Sequence, residues 1–282
     1  MRMTRVNFST RTFIRRRRKY LKTILGLLFM TIFLFPLYWM LNVSLQPRGV
    51  AINSPIFPIH PDFSGYKIAF LGQGIHLRNS MINSSFAVLV MLLIATPAAF
   101  AISKLKIRGA NVYLLLILVS QMIPGIVIAN SLYSLYVKIH LLNTFPGIIL
   151  AVATVGVPFS ILLMSGFMRN ISRDVMEAAE MDGATPFRMY RSIIVPMSRN
   201  VIITSAVFTF LFAWGDFVYS VTLISKQSMT PVTVSLYTYI GTDNRSWGPI
   251  LATAVLSSLP AIVLLISSQK YIRAGVTAGS VK

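Results

Sequence analysis

Six apolar runs dominate this chain. Residues 23–43, 81–102, 112–136, 147–167, 201–224 and 249–268 each extend over 20 or more positions, and Asp216 is the only charged residue within any of them. At ~1.5 Å rise per residue, ~20 residues cover the ~30 Å hydrocarbon core of a bilayer, so each run is long enough to cross it as a helix. Backbone in lipid must pair its own N–H and C=O groups, which leaves helices or closed barrels. The runs lack the alternation of barrel strands over ~10 residues. The expected fold is therefore all-α: a polytopic membrane protein with six transmembrane helices.

Composition agrees. With 55% hydrophobic and 12% charged residues and a mean hydropathy of +0.70, the chain does not describe an ordinary soluble domain. The first run follows a basic segment at 15–19, as a secretory signal would. It is about twice the length of a usual apolar signal core, however, and no alanine precedes Ala51 to supply a cleavage site. It is expected to be a retained helix. With no cysteine, the chain has neither disulfides nor thiol chemistry.

A net charge of +19 raises the question of nucleic acid, and the distribution of the charge answers it. With the N-terminus inside, 20 basic residues fall on the inner side and 6 on the outer. The positive-inside rule then places both termini in the cytoplasm and accounts for the charge. No nucleic-acid partner is expected; anionic lipid suits the cluster at 15–19 better.

The economical division is a basic cytoplasmic N-terminal segment at 1–22, a six-helix membrane domain at 23–268, and a cytoplasmic tail at 269–282. Outer connections are expected at 44–80, 137–146 and 225–248, the first irregular because of its prolines and glycines. Pro36, Pro97, Pro124 with Gly125, Pro158 and Pro260 should kink the spans that contain them.

The longest inner loop, 168–200, gathers Asp174, Glu177, Glu180 and Asp182, four of the seven acidic residues, into nine positions. Asp174 is expected to cap a helix starting at Val175, with Glu177 as its capping-box partner. Gly183 would end that helix in a left-handed conformation, and Thr185 with Pro186 would open another. Such a short helix is marginal alone in water and needs a surface to hold it. Ala178 and Ala179 keep it thin, while Val175, Met176 and Met181 offer apolar area to a groove. The residues alone fit a docking element for a partner and an internal connector equally well.

The segment EAAEMDGATPFRMYRSIIVP, 177–196, resembles the cytoplasmic EAA loop of ABC import permeases. Glu177, Ala178, Ala179, Gly183, Ile193 and Pro196 match its spacing, and Val195 stands where leucine is usual. Asp182, Gly183 and Ala184 extend the likeness to the carbohydrate-uptake branch, the group of the maltose-type importers. The resemblance continues through FPLYWMLNVSLQP at 35–47, Asn79 and Ser80, LLNTFPGIIL at 141–150, AWGDF at 213–217 and QKYIRAGVTAGSVK at 269–282. Gly215 departs from it, replacing a common asparagine.

The resemblance implies a type I importer transmembrane domain in a bacterial inner membrane. Its expected partners are a second related permease, two copies of a cytoplasmic ATPase and an extracytoplasmic solute-binding protein. The coupling residues it implies are Glu177, Ala178, Ala179, Asp182, Gly183, Val195 and Pro196, with 277–282 as a second contact region or simply a chain end. ATP and Mg would be bound by the ATPase, because this chain has no G-x-x-x-x-G-K-[ST] loop and is not expected to be an enzyme. No cofactor or metal site is expected; His60, His76 and His140 read as ordinary loop residues. The cargo implied is a sugar or oligosaccharide. Alternatives are a non-sugar solute carried by the same machinery, or a proton-coupled secondary transporter using Asp216. As the sole charge in a span, Asp216 is a candidate pathway residue together with Trp214 and Tyr219. The competing reading, slightly favoured, pairs Asp216 with a neighbouring helix and puts the aromatic residues at the membrane interface.

Overall fold

A computed structural model describes residues 8–46, 55–105, 107–242 and 247–277 of the chain. Every regular element among them is helical. Among the described residues four helices are long and apolar enough to cross a membrane, and the number rises to as many as six if each of two bent helix pairs is one span. The six-span expectation fits that upper count, but its third and fifth runs are not the continuous helices that their uninterrupted hydropathy suggests.

The first span lies in α1 (Phe8–Ser44), whose helical backbone extends upstream through the basic segment. From Tyr20 to Leu37 its described side chains are exposed or half-exposed, as a lipid-facing helix requires. The second lies in α2 (Ser64–Lys104). At ~1.5 Å per residue α2 is about 60 Å long, twice the hydrocarbon thickness. The irregular outer connection expected at 44–80 is thus helical from Ser64 onward, and Gly65, Gly72 and Gly74 sit within that helix.

The third apolar run folds as α3 (Ala110–Ser120) and α4 (Gly125–Lys138), bent by 92°. Pro124 caps α4 and has no N–H to continue the preceding helix, so the expected kink is a complete break. The fourth span is α5 (Phe145–Arg169), capped by Thr144, whose Oγ1 accepts the Gly147 amide at 3.1 Å.

On the inner side follow α6 (Arg173–Met181), α7 (Pro186–Met189), a π-helical turn (Tyr190–Ile194) and α8 (Val195–Met197). The segment 186–197 meets α9 (Arg199–Trp214) at 78°. The fifth run then breaks again at Gly215–Phe217 before α10 (Val218–Leu223). The outer segment 225–248 contains a 3-10 turn at Gln227–Met229 and α11 (Val232–Thr242), so it too is more ordered than a plain loop. The last span lies in α12 (Trp247–Thr277), which runs past 268 without a break. Residues 278–282 of the anticipated tail contact lie outside the described residues.

The described residues form two compact units, divided at 67/68, 244/245 and 255/256. In the smaller unit the end of α1 is tied by its polar side chains. Asn42 Nδ2 donates to Pro55 O at 2.8 Å, Ser44 Oγ lies 2.7 Å from Tyr66 Oη, and Asp62 N donates to Leu45 O at 2.8 Å.

The larger unit is organised by the contact of α5 with α9. Gly156 carries no side chain where Thr209 approaches; a Cβ there would lie 2.6 Å from Thr209 Cγ2. Ser160, one turn on, places its Oγ 3.4 Å from Thr209 Oγ1. Inside a membrane, where lipid is as apolar as a leucine side chain, such small-residue contacts provide helix affinity through close packing.

Candidate coupling site

Helix α6 occupies the loop in which the acidic residues cluster. Its N-cap is Ser172: Oγ accepts the Asp174 amide at 3.2 Å and donates to Asp174 Oδ2 at 2.9 Å. This corrects the assignment of Asp174 as the cap with Glu177 as its capping-box partner. A serine hydroxyl both donates and accepts, so it can serve the helix end and hold the carboxylate beside it, which a carboxylate in the cap position cannot do. Asp174 instead lies in the first turn, where a negative charge favours the helix N-terminus.

The other end follows the sequence expectation. Gly183 has φ +72°, Ala184 N donates to Ala179 O at 2.9 Å, and Gly183 N donates to Glu180 O at 3.0 Å. These two reverse hydrogen bonds close a helix on a left-handed residue. Thr185 Oγ1 then accepts from Arg188 N at 3.3 Å, with Pro186 in the first position of α7. Helix, left-handed break and capped second helix are all present.

The faces divide differently from the expectation. Met176 and Ala179 are buried in the apolar cluster that includes Met91, Phe100, Met168 and Ile194. Ala179 therefore packs within this chain, and only Ala178 of the alanine pair is exposed. Glu177, Glu180, Asp182 and Gly183 are exposed, as are the apolar side chains of Met181 (89%) and Phe187 (69%). Among the described residues neither glutamate makes an ion pair or side-chain hydrogen bond. The outward surface is a carboxylate-bearing helix with two bulky apolar side chains around its left-handed end.

Further along, Val195 N donates to Tyr190 O, the i to i−5 pattern of a π turn, and Val195 is half-buried while Pro196 is exposed. Both precede the 78° elbow into α9.

Beside α6 is a cavity of about 460 Å³, lined by Lys104, Arg169, Arg173, Met176, Glu177 and Glu180 among others. Lys104 Nζ donates to Ile171 O at 2.6 Å, and Arg169 Nη2 donates to Asn111 Oδ1 at 2.9 Å. Sequence reasoning counted these cations for topology alone. Their positions just past the ends of apolar runs were the available signal, since a cation there can reach carbonyls at a helix end.

The pathway candidates have partners within the chain. Asp216 accepts from Tyr219 N at 3.2 Å, Ser220 N at 2.9 Å and Ser220 Oγ at 2.7 Å, so it caps α10 across the break in its span. Trp214 is buried and donates Nε1–H to Ser257 O at 3.0 Å. Tyr219 is also buried, its hydroxyl 3.4 Å from Thr154 Oγ1. Asp216 and Tyr219 are joined through the Tyr219 amide, whereas the Trp214 and Tyr219 side chains meet Ser257 of α12 and Thr154 of α5.

Two outer histidines are exposed; His76 is not. It lies on α2, buried, with Nδ1 2.7 Å from Thr230 O. A carbonyl only accepts, so Nδ1 carries the proton. With Gln73, Asn79 and Ser80, which bond Ser235 Oγ, Ser228 O and Val232 N, it holds the outer segment 228–235 against α2. His76 is therefore a helix residue with a structural partner, and the loop assignment is corrected.

Residues 91–277 match the family described as the binding-protein-dependent transport system inner membrane component. The chain is 30% identical to the trehalose transport system permease protein SugB of Mycobacterium tuberculosis, over 88% of this chain and 92% of that one. It is 32% identical to the galactooligosaccharides transport system permease protein GanQ of Bacillus subtilis, over 95% and 98%. Among solved structures, a bacterial ABC transporter involved in the import of the acidic polysaccharide alginate has a chain of the same fold, with a TM-score of 0.75, 22% identity, and 95% and 99% of the two chains covered. The chain thus belongs to the binding-protein-dependent inner membrane components, as a multi-pass permease subunit of an ABC importer.

Proposed function

We propose that this permease imports a sugar or oligosaccharide across a bacterial inner membrane, paired with a second, related permease and driven by two cytoplasmic ATPase subunits docked on the loop containing α6. A solute-binding protein on the outer side delivers the cargo. The observation that carries the reading is the exposed face of α6: Glu177 and Glu180, without an ion pair among the described residues, the narrow Ala178, and Met181 and Phe187 flanking a left-handed Gly183. Carboxylates suit charge-assisted contacts, and the two apolar side chains suit a groove. The carbohydrate class is supported by the relatives' own cargoes, trehalose for one and galactooligosaccharides for another.

ATP and Mg bind the partner ATPase, and closure of the ATPase pair displaces α6. Because Met176 and Ala179 join the core shared by α2, α5 and α9, that displacement reaches the membrane helices as rigid-body motion. Each ligand must favour one state over the other to drive the cycle. The proton-relay alternative is disfavoured by Asp216, whose carboxylate is engaged as the cap of α10.

Affinity purification in detergent with mass spectrometry tests the assembly, comparing the intact chain with a Glu177→Ala, Gly183→Trp double variant. The expected result is recovery of an ATPase and a second permease with the intact chain, and loss of the ATPase with the variant. Equal ATPase recovery from both would overturn the assignment of α6.

A further inference from the structure

The cations beside α6 share one cavity with Glu177 and Glu180, the carboxylates of its exposed face. Lys104 is the last residue of α2, and its ammonium donates at 2.6 Å to Ile171 O, one residue before the Ser172 cap. The contact joins positions 67 residues apart, from the end of the second span to the doorstep of α6. The cavity wall that Lys104 forms continues directly into Arg173, Glu177 and Glu180 of α6. Arg169, at the end of α5, makes a parallel contact to Asn111 in the first turn of α3. The peptide linking α5 to α6 is thereby held from both sides of the α2–α3 connection.

We infer that Lys104 is a positioning residue for coupling: a strut that makes the end of α2 follow α6 when the ATPases move. The inference rests on the proposed docking of an ATPase at α6. The physical argument concerns what would otherwise connect the two. Residues 170–172 are a short turn, and the Ile171 carbonyl lies outside the α5 hydrogen-bond ladder, so without Lys104 it has no side-chain donor among the described residues. Apolar contacts between Met176 and the α2 cluster oppose separation but allow sliding, because dispersion is not directional. A charge-assisted N–H to carbonyl bond is directional and about twice as strong as its neutral counterpart. It fixes the register of α6 along the end of α2, where packing alone fixes only the separation.

The chain contains no cysteine, so within this subunit introduced thiols report from chosen positions only. In the purified assembly, spin labels at Met181→Cys on α6, a docking-face position used only in labelled chains that still retain the ATPase, and at Leu93→Cys on the exposed face of α2 measure the span controlled by the strut. A second pair, Leu150→Cys on α5 and Leu259→Cys on α12, monitors the remaining helices. Distances are recorded without nucleotide and with ATP, Mg and vanadate, which traps the closed ATPase pair.

With Lys104 present, the Met181–Leu93 distance should stay narrow and unchanged between the two conditions. In Lys104→Met it should broaden, with a nucleotide-dependent shift on the order of 2 Å, the scale of helix sliding. Lys104→Arg should restore the narrow distribution, and the second pair should be unaffected in every variant. An unchanged Met181–Leu93 distribution in Lys104→Met would overturn the inference, as would broadening of both label pairs, which reports general loosening. Failure of the unsubstituted chain to retain an ATPase would overturn the docking reading instead, so the two failures are distinguishable.

Discussion

The amide of Ala184 donates to the carbonyl of Ala179 across 2.9 Å, closing α6 over Gly183 at φ +72°. One residue of this pair is buried against the membrane helices and the other opens the next segment, so the hydrogen bond sets the angle at which the acidic face meets solvent.

Gly183 is the residue on which that geometry depends. A Cβ there would meet nothing within 4 Å, so any penalty for substitution is conformational, without a steric clash. Gly183→Val should cost about 1–2 kcal/mol for placing a β-branched residue in the left-handed region, and Gly183→Asn distinctly less. The expected readout is ATPase retained on the affinity-purified permease, falling in the order Gly, Asn, Val. Equal retention by Asn and Val would mean that the left-handed turn does not aim α6.

Ser172 offers a separate handle on the same helix. Ser172→Ala removes the hydroxyl that accepts from Asp174 N and should cost about 1 kcal/mol of local helix stability. Asp174→Asn keeps an acceptor in the first turn and should cost less. Hydrogen exchange of the α6 amides in detergent would rank the two, and a larger effect from Asp174→Asn would reinstate Asp174 as the dominant cap.

Much of this architecture was legible because a bilayer imposes a length on every span, and six runs with no charge other than Asp216 met it. Gly183, Thr185 and Pro186 were legible because each has a narrow conformational role. Illegible features were those set by tertiary contacts. Apolar composition is the same for a straight helix and a pair bent by 92°, so the break before Gly125 was visible only as a proline. The inward direction of Ala179 depended on where the core lay, and the helical start of α2 at Ser64 was masked by glycines that helices tolerate when packing supports them. The hydrogen bonds of Lys104 and His76 join residues 67 and 154 positions from their partners, beyond the reach of local pattern.

Asp216 provides a test that separates structure from proton chemistry. Its carboxylate accepts three hydrogen bonds at the head of α10, and the amide of Asp216→Asn has only one oxygen to replace two. At least one donor then loses its partner, costing about 1–3 kcal/mol if it remains buried. The variant should melt at lower temperature in detergent yet keep the pH profile of transport in vesicles at permissive temperature. A changed pH profile with unchanged melting would return Asp216 to the transport pathway.

Asn143 ties two outer connections together and makes an independent prediction for that face. It has φ +56°, and its Oδ1 accepts from Ser225 N at 2.6 Å, Ser225 Oγ at 3.0 Å and Lys226 N at 3.0 Å. Asn143→Asp retains both the acceptor and a residue type tolerant of the left-handed region, whereas Asn143→Ala retains neither. The alanine variant should expose the chain beside Lys226 to trypsin added outside right-side-out vesicles, raising the cleavage rate roughly tenfold for about 1.4 kcal/mol of lost loop stability. The aspartate variant should be cut at nearly the rate of the intact chain. If both are cut alike, the acceptor is not what holds the loops; if neither is cut faster, the bonds to Asn143 do not limit their opening.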